Sequence, residues 1–204
     1  MRSLEHDVTP LRSNWSISPA DPATDMADVQ FVLDDVAEWL ASKSIDQWPA
    51  HFGEEGGRRM VQLRAEAERG HVYLARYGDQ PMGTVTVTDW ADPDFSAAWP
   101  GGAGDARYVM RLASRRAARA LREPGAISLG ALLLNIAGGV ALLDDARYLR
   151  LDCSRANTRL HAYYEQVGFR PVGTVRVPGR RSGALFQIDL HEPPVSSPWP
   201  GPTR

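Results

Sequence analysis

The chain has 204 residues, 43% of them hydrophobic and 24% charged, and a formal net charge of -2 at pH 7. This length buries a full core without disulfides or bound metal, so a single α/β domain is expected. The near balance of 23 basic and 25 acidic residues argues against a nucleic-acid-binding surface spread over the whole domain.

The cysteine and histidine content also narrows the class of protein. The single cysteine, Cys153, cannot form an internal disulfide and is expected to be a small buried hydrophobe in a reducing cytoplasm. Five histidines without ligand spacing indicate no metal site. No stretch approaches the roughly 18 apolar residues of a membrane span, and the N-terminus lacks the apolar core of a signal peptide. We therefore expect a cytoplasmic protein with neither a membrane nor a nucleic-acid partner.

The two ends differ in composition from the middle of the chain. Residues 1–13 are predicted to be a disordered N-terminal arm, and residues 192–204, EPPVSSPWPGPTR, a proline-rich flexible tail. Residues 14–191 are predicted to form the single domain. It begins with a short strand at residues 15–18 and a helix that is capped near Thr24 or Asp25 and runs to about Ser42. A loop, SIDQWPAHFGEEGG, leads to a second helix at residues 58–69.

The central part reads as an antiparallel meander followed by a crossover. Two strands, at residues 71–77 and 82–89, flank a turn signal at Gly78 and Asp79. Residues 91–105 contain two prolines and three glycines, which predicts a long loop of the kind that is often functional. A strand at residues 106–114 and a helix at 129–143 follow. The strand at residues 148–153 is then expected to lie parallel to the strand at 106–114.

The C-terminal part contains a short amphipathic helix within NTRLHAYYEQVGF, residues 157–169. Its apolar side chains recur at helical spacing, so the two adjacent tyrosines are expected to face inward; these side chains are Leu160, Tyr163, Tyr164 and Val167. Gly168 supplies the left-handed residue that ends the helix. Two final strands are predicted at residues 169–177 and 183–190.

This segment resembles the last conserved block of the GCN5-related N-acetyltransferases (GNAT), through Asn157, Tyr164, Glu165, Gly168 and Phe169. The resemblance implies the GNAT, or acyl-CoA N-acyltransferase, fold: a mixed, mostly antiparallel central sheet flanked by helices on both faces. It also implies that Tyr164 protonates the thiolate of coenzyme A as it leaves, and that Asn157 lies beside the pantetheine arm. A phenol is close in basicity to an alkyl thiolate, so this proton transfer is nearly thermoneutral. The alternative is that Tyr163 and Tyr164 only fill the core.

The resemblance further implies a cofactor site for acetyl-CoA before the helix at residues 129–143. In the family, backbone amides of this loop hold the pyrophosphate; here the matching residues are Gly125, Ala126, Ile127, Ser128, Leu129, Gly130 and Ala131. The loop departs from the family pattern. Only the final glycine, Gly130, is kept, and residues 119–124, RALREP, resemble an insertion. Four arginines precede the helix and could contact phosphates or form a solvated basic face; they are Arg115, Arg116, Arg119 and Arg122.

The strand before that loop resembles the family strand whose backbone groups face the pantetheine, a role implied for Leu112, Ala113 and Ser114. Met110 occupies the position on this strand where a general base would be expected. The identity of the general base that deprotonates the amine therefore stays open. Candidates in the loops, each also readable as a solvated residue, are Asp89, Asp92, Asp94, His51, Glu54 and Glu55. His161 is expected to be a surface residue. Four aromatic residues either frame an apolar acceptor pocket or plug the core under the loops; they are Trp48, Trp90, Phe95 and Trp99.

The predicted function is transfer of an acetyl group from acetyl-CoA to an amine of a small molecule by direct attack, with Tyr164 as general acid. Exposed final strands suggest a homodimer. One alternative is a catalytically inactive GNAT-like domain that binds a ligand or a partner and has a degenerate phosphate loop. Another is an enzyme that uses a different donor, such as a carrier-protein thioester.

Overall fold

A computed structural model of the chain describes residues 14–45, 47–48 and 57–192. The predicted N-terminal arm, residues 193–204 of the predicted tail, and three candidate bases, His51, Glu54 and Glu55, lie outside the described residues. The elements in chain order are β1 (Trp15–Pro19), α1 (Met26–Ser42), α2 (Arg58–Glu68), β2 (Val72–Tyr77), β3 (Gln80–Thr88), β4 (Ala106–Ser114), α3 (Leu129–Leu143), β5 (Tyr148–Ser154), α4 (Thr158–Gln166), β6 (Arg170–Thr174) and β7 (Ser182–Asp189).

The strands form one seven-stranded sheet in the order β1-β2-β3-β4-β5-β7-β6. Neighbouring strands are antiparallel except β4 and β5, which are parallel and joined through α3. A parallel pair needs such a crossover because the chain must return to the same end of the sheet. The predicted mixed, mostly antiparallel sheet is confirmed. β7 lies between β5 and β6, an order that the sequence pattern did not predict.

Helices cover both faces of the sheet, as predicted. Successive strand residues point to opposite faces, and β2 shows this alternation clearly. Val72 and Leu74 are buried with α1 and α2, whereas Tyr73 and Ala75 belong to the cluster that contains α3 and α4. We call these the first face and the second face. Tyr164 belongs to the cluster on the second face.

The long loop between β3 and β4 packs on the first face. Phe95 and Trp99 are 1% and 4% exposed and form a small core with Tyr108 and Leu185. Arg150 of β5, which is 1% exposed, anchors the end of this loop through hydrogen bonds. Its guanidinium donates hydrogen bonds to the carbonyls of Pro100 and Gly102 and to the Gln187 side chain, at 2.8, 2.6 and 2.9 Å. Phe95 and Trp99 are therefore plugs under the loop, one of the two predicted roles.

Candidate active site

The site begins at a β-bulge in β4. Thr84 of β3 pairs with Ala113 and Thr86 pairs with Met110, so β4 carries one more residue than β3 over this interval. Arg111 lies at the bulge and has a φ of 51°, which is unusual for a residue other than glycine. A bulge bends the strand that carries it. The bulge therefore redirects β4 from Met110 onward.

Beyond the bulge, β4 and β5 separate. Their parallel pairing ends at Val109 and Leu151, although β4 continues to Ser114 and β5 to Ser154. β5 keeps pairing with β7 over the same stretch. A wedge therefore opens between the two central strands, with unpaired β4 backbone on one side. Three residues predicted to face the cofactor, Leu112, Ala113 and Ser114, lie on this part of β4.

Tyr164 lies on α4 beside the part of β5 that has separated from β4. It is 6% exposed, and its ring packs against Phe169 and Phe186, with centroids 5.9 and 5.7 Å away. Burial raises the pKa of Tyr164 well above its usual value, and nearby Cys153 adds to the effect. The phenol thus stays protonated near neutral pH and can act only as a proton donor. The ring fills the core, as the alternative reading expected, and its role as general acid stays a prediction.

Asn157 caps α4. Its Oδ1 accepts a hydrogen bond from the Leu160 amide at 3.1 Å, and its Nδ2 donates to Oε1 of Gln47 at 2.9 Å. The first bond satisfies one of the free amides at the helix start. The second connects α4 to the segment between α1 and α2, which is 110 residues away in sequence.

The start of α3 offers backbone amides to an anion. Ser128 caps the helix, and its Oγ accepts from the Ala131 amide at 3.2 Å. The amides of Leu129 and Gly130, the first two of the helix, have no partner one turn earlier within it. Ser128 has a φ of -71°, so serine at this position causes no backbone strain, whereas Gly125 is left-handed with a φ of 82°. Ala126 and Ile127 are exposed.

Contact with the Tyr163 side chain explains why residue 130 is a glycine. The sequence had not assigned Tyr163 to this site. A Cβ at this position would lie 2.9 Å from the hydroxyl oxygen of Tyr163, too close for an ordinary contact. The Tyr163 hydroxyl is buried and makes no hydrogen bond of good geometry within the described residues. Burial raises the pKa of Tyr163, and the nearby Ser128 hydroxyl partly offsets this. The sequence did contain a signal for this contact, because the helical spacing in α4 predicted that Tyr163 faces inward.

The four arginines predicted near the phosphates divide into two pairs. Arg115 donates to Asp35 and to the Pro81 carbonyl, both at 3.0 Å, and its guanidinium lies 4.4 Å from the centre of the Phe31 ring. Arg116 lies over the Trp39 ring. Both are therefore engaged with or near α1. Arg119 and Arg122 are exposed on the loop before α3.

A small pocket opens on the first face where β4 and β5 separate. Its lining includes Asp92, Phe95, Trp99, Tyr108, Met110 and Asp152. Among the predicted candidate bases, Asp92 and Asp94 are occupied by Arg180, with nitrogen–oxygen distances of 2.6 and 2.5 Å. Although burial alone would raise the pKa of Asp92, hydrogen bonds from Arg180 hold it below its usual value. Asp89 is exposed at the end of β3.

Comparisons with known proteins show which proteins the chain is similar to. No family model matches the chain. The uncharacterized N-acetyltransferase YesJ of Bacillus subtilis (strain 168) is 27% identical over 151 residues, which cover 73% of this chain and 78% of that protein.

Solved structures share the architecture. A GNAT-family acetyltransferase from Listeria monocytogenes 4b F2365 has a TM-score of 0.60 at 19% identity, over 86% of this chain and 94% of that one. The YncA putative acetyltransferase from Salmonella typhimurium, solved with its cofactor acetyl-CoA, has a TM-score of 0.59 at 16% identity, over 91% and 99%. The ribosomal-protein-alanine N-acetyltransferase from Brucella melitensis has a TM-score of 0.60 at 19% identity, over 85% and 99%.

The chain has the GNAT fold. The resemblance predicted from residues 157–169 is thereby confirmed. Within this GNAT fold the predicted site residues lie at two places. Leu112, Ala113, Ser114 and Tyr164 flank the wedge between β4 and β5, and residues 125–131 form the start of α3. Asn157 lies at the start of α4, where its side chain makes a cap.

Asp152 was missed by sequence reasoning. In the strand YLRLDC it comes two residues after Arg150 and therefore lies on the same face. Apart from Arg150, the rest of this run is apolar or aromatic. That isolated carboxyl in a central strand was the available signal. Within residues 14–45, 47–48 and 57–192, no cluster of three metal-ligating side chains occurs. No helix in that part of the chain is long and apolar enough to span a bilayer.

Proposed function

We propose that this chain transfers an acetyl group, or another short acyl group, from its coenzyme A thioester to an amine of a small molecule. The observation that carries the proposal is the wedge between β4 and β5, which places unpaired strand backbone opposite a protonated, buried phenol. A wedge of this kind accepts an extended, amide-containing chain, because such a chain can hydrogen-bond to the free strand edge.

The residues at the wedge and at the start of α3 fit the two ends of acetyl-CoA. Backbone groups of Leu112, Ala113 and Ser114 would bond the pantetheine arm. The free amides of Leu129 and Gly130, at the positive end of α3, would bond the pyrophosphate. The altered residues of this loop, Gly125 and Ser128, do not remove these groups.

The chemistry is a direct displacement. The neutral amine attacks the thioester carbonyl, and strand amides at Leu112 to Ser114 stabilise the negative charge that develops on the carbonyl oxygen. The carbon–sulfur bond then breaks, and Tyr164 gives its proton to the departing thiolate. The raised pKa of Tyr164 keeps that proton in place until the thiolate forms.

The test is a Tyr164→Phe variant. We expect a loss of at least about 100-fold in turnover, typical of removing a general acid, with acetyl-CoA affinity nearly unchanged. Free thiol released from acetyl-CoA is measured with a panel of primary amines, and affinity is measured by calorimetry. Tyr77→Phe is the matched control, because Tyr77 packs against Trp15 at the far edge of the sheet. Unchanged turnover in Tyr164→Phe would remove Tyr164 from the mechanism.

The altered phosphate loop favours a second candidate, a GNAT-like domain that binds a ligand without catalysing transfer. Gly125 stands where the family has a basic or amide side chain, so one phosphate contact is lost. Micromolar acetyl-CoA binding without thiol release for any amine would support this candidate. A homodimer through β6, which lies at the edge of the sheet, stays a prediction.

A further inference from the structure

Asp152 lies at the point where the two central strands separate. β4 and β5 pair as far as Leu151, and Asp152 is the next residue of β5, still held opposite Leu185 of β7. Its side chain is partly buried and lines the small pocket on the first face with Met110. Tyr164 is close enough for the charge of Asp152 to contribute to the raised pKa of the phenol. The carboxyl and the phenol thus approach the wedge from opposite faces of the sheet.

Arg180, the cation next to this pocket, forms ion pairs with Asp92 and Asp94. Arg180 donates to both oxygens of Asp92, at 3.0 and 2.6 Å, and to Asp94 at 2.5 Å, while its guanidinium lies 4.6 Å from the Phe95 ring centre. Within the described residues no arginine, lysine or histidine forms an ion pair with Asp152. The Ser182 side chain and the backbone of Asp152 itself lie close enough to the carboxyl to lower its pKa. Asp152 is therefore a partly buried carboxyl that lacks its own cation.

The charge of Asp152 is set by several groups on the elements around it. Burial raises the pKa of the Asp152 carboxyl and nearby Asp92 adds to this, whereas the Ser182 hydrogen bond and the charge of Arg180 oppose it. A raised pKa brings the carboxyl closer to the range in which a general base works near neutral pH. The titratable and charged groups around it are Asp92, Tyr108 and Arg180 on the first face, where Arg180 also pairs with Asp94, Arg150 on β5 itself, and Cys153 and Tyr164 on the second face.

We propose that Asp152 binds the ammonium group of the acceptor and removes its proton, and that the acceptor is a primary alkylamine. The inference rests on the proposed function and names its substrate class. An alkylamine is protonated near neutral pH and needs both an anionic partner and a base, whereas an arylamine is already uncharged. The pocket beside Asp152 has a volume of about 10 Å³, which is enough for an ammonium group. Its walls Phe95, Trp99 and Tyr108 are buried core residues, so the rest of the acceptor lies outside it.

The protons balance in this scheme. The bound ammonium gives one proton to the Asp152 carboxylate, and the resulting amine forms a carbon–nitrogen bond with the thioester carbonyl. As the carbon–sulfur bond breaks, Tyr164 protonates the thiolate and regains a proton from the nitrogen that has become part of the amide. Asp152 releases its proton to solvent. The net products are the amide, coenzyme A with a free thiol, and one proton.

The wild-type protein supplies a test that needs no variant. If the ammonium binds and Asp152 removes its proton, kcat/KM for phenethylamine rises with pH until Asp152 ionises. It then stays level until the amine loses its own proton. If the protein binds only the neutral amine, kcat/KM instead rises tenfold per pH unit through that range. The second result would overturn the proposal.

The variant test compares two acceptors. Asp152→Asn should lower kcat/KM for phenethylamine by at least about 100-fold at pH 7 and change kcat/KM for aniline by less than about threefold, because aniline needs no base. Asp79→Asn, in the exposed β2–β3 turn, is the matched control and should change neither value. Acetyl-CoA affinity should be equal in all three proteins. Circular dichroism checks that Asp152→Asn is folded, and if it is not, the wild-type pH profile decides.

Two failures remain distinguishable. A protein that acetylates aniline but no alkylamine, or an Asp152→Asn protein that retains phenethylamine turnover, would refute the role of Asp152 alone. A protein that binds acetyl-CoA but transfers the acetyl group to no amine would refute the proposed function and support the inactive domain. A protein that does not bind acetyl-CoA would refute the proposed function itself.

Discussion

Replacing Arg150 with methionine should destabilise the protein through the long loop between β3 and β4. The guanidinium carries no carboxylate partner among its hydrogen bonds. It is held by the carbonyls of Pro100 and Gly102, the side-chain oxygen of Gln187 and the Tyr108 hydroxyl, and it lies 5.1 Å from the Trp99 ring centre. Methionine fills much of the same volume but donates to none of these oxygens.

The loss of unfolding free energy can be estimated from the oxygen atoms that lose the Arg150 guanidinium as their hydrogen-bond donor. Three oxygens at normal hydrogen-bond distance lose their donor, and each costs about 1 kcal/mol net, so the upper sum is about 3 kcal/mol. The variant no longer has to bury a charge, which returns part of this cost. We therefore expect the free energy of unfolding to fall by about 2 to 3 kcal/mol. With an m-value of about 2 kcal/mol/M, the urea midpoint falls by about 1 to 1.5 M.

The assay is urea unfolding followed by circular dichroism, together with hydrogen exchange of residues 99–105. Exchange should rise in this loop first, because its carbonyls lose their anchor while the strands below keep their pairing. Arg107→Met is the matched control. Arg107 forms a partly exposed pair with Asp144 at 2.9 Å, and removing such a pair costs below about 1 kcal/mol. An Arg150→Met protein with the urea midpoint of the wild type and unchanged loop exchange would refute the reasoning.

Two further predictions concern backbone conformation and the single thiol. Gly183→Ala should lower the free energy of unfolding by at least about 3 kcal/mol, because the new Cβ would lie 2.3 Å from the Val175 carbonyl oxygen at a φ of 122°. Gly179→Ala, left-handed but with open space, should cost only about 1 kcal/mol, and equal urea midpoints for the two variants would contradict this. Burial raises the pKa of Cys153 to about 12, so iodoacetamide at pH 8 should not alkylate the folded protein but should alkylate it in guanidinium. Rapid alkylation of the folded protein, measured by mass spectrometry, would show that the thiol is accessible. The unfolded thiol ionises above about pH 9 while the folded thiol does not, so stability should fall with rising pH in that range, and Cys153→Ala should remove this slope.

The local elements were predictable from the sequence because their signals are local. The helix at residues 129–143 and the strand at 106–114 have the predicted bounds, since hydrophobic periodicity and flanking turn residues act within a few positions. Gly138 and Gly139 do not interrupt that helix, because packing on the sheet outweighs their poor helix propensity. The spacing of Leu160, Tyr163, Tyr164 and Val167 likewise indicated the buried face of α4.

Features that depend on a partner strand were not predictable. The bulge at Arg111 exists only relative to β3, so no pattern within residues 106–114 reveals the extra residue. The position of β7 between β5 and β6 depends on pairing over long sequence separations. Asp92 and Asp94 were legitimate candidate bases until the structure brought Arg180 against them from 86 residues or more away in sequence.

The order of residues along the chain was thus enough to predict most helices and strands, the family resemblance and the tyrosine on the inward face of α4. Only the tertiary structure decided where the two parallel strands separate and which carboxyl lies at that point. The physical reason is that periodicity and turn chemistry act along the chain, whereas the wedge, the burial of Asp152 and the pairing of Arg180 result from residues that meet only after the sheet has formed.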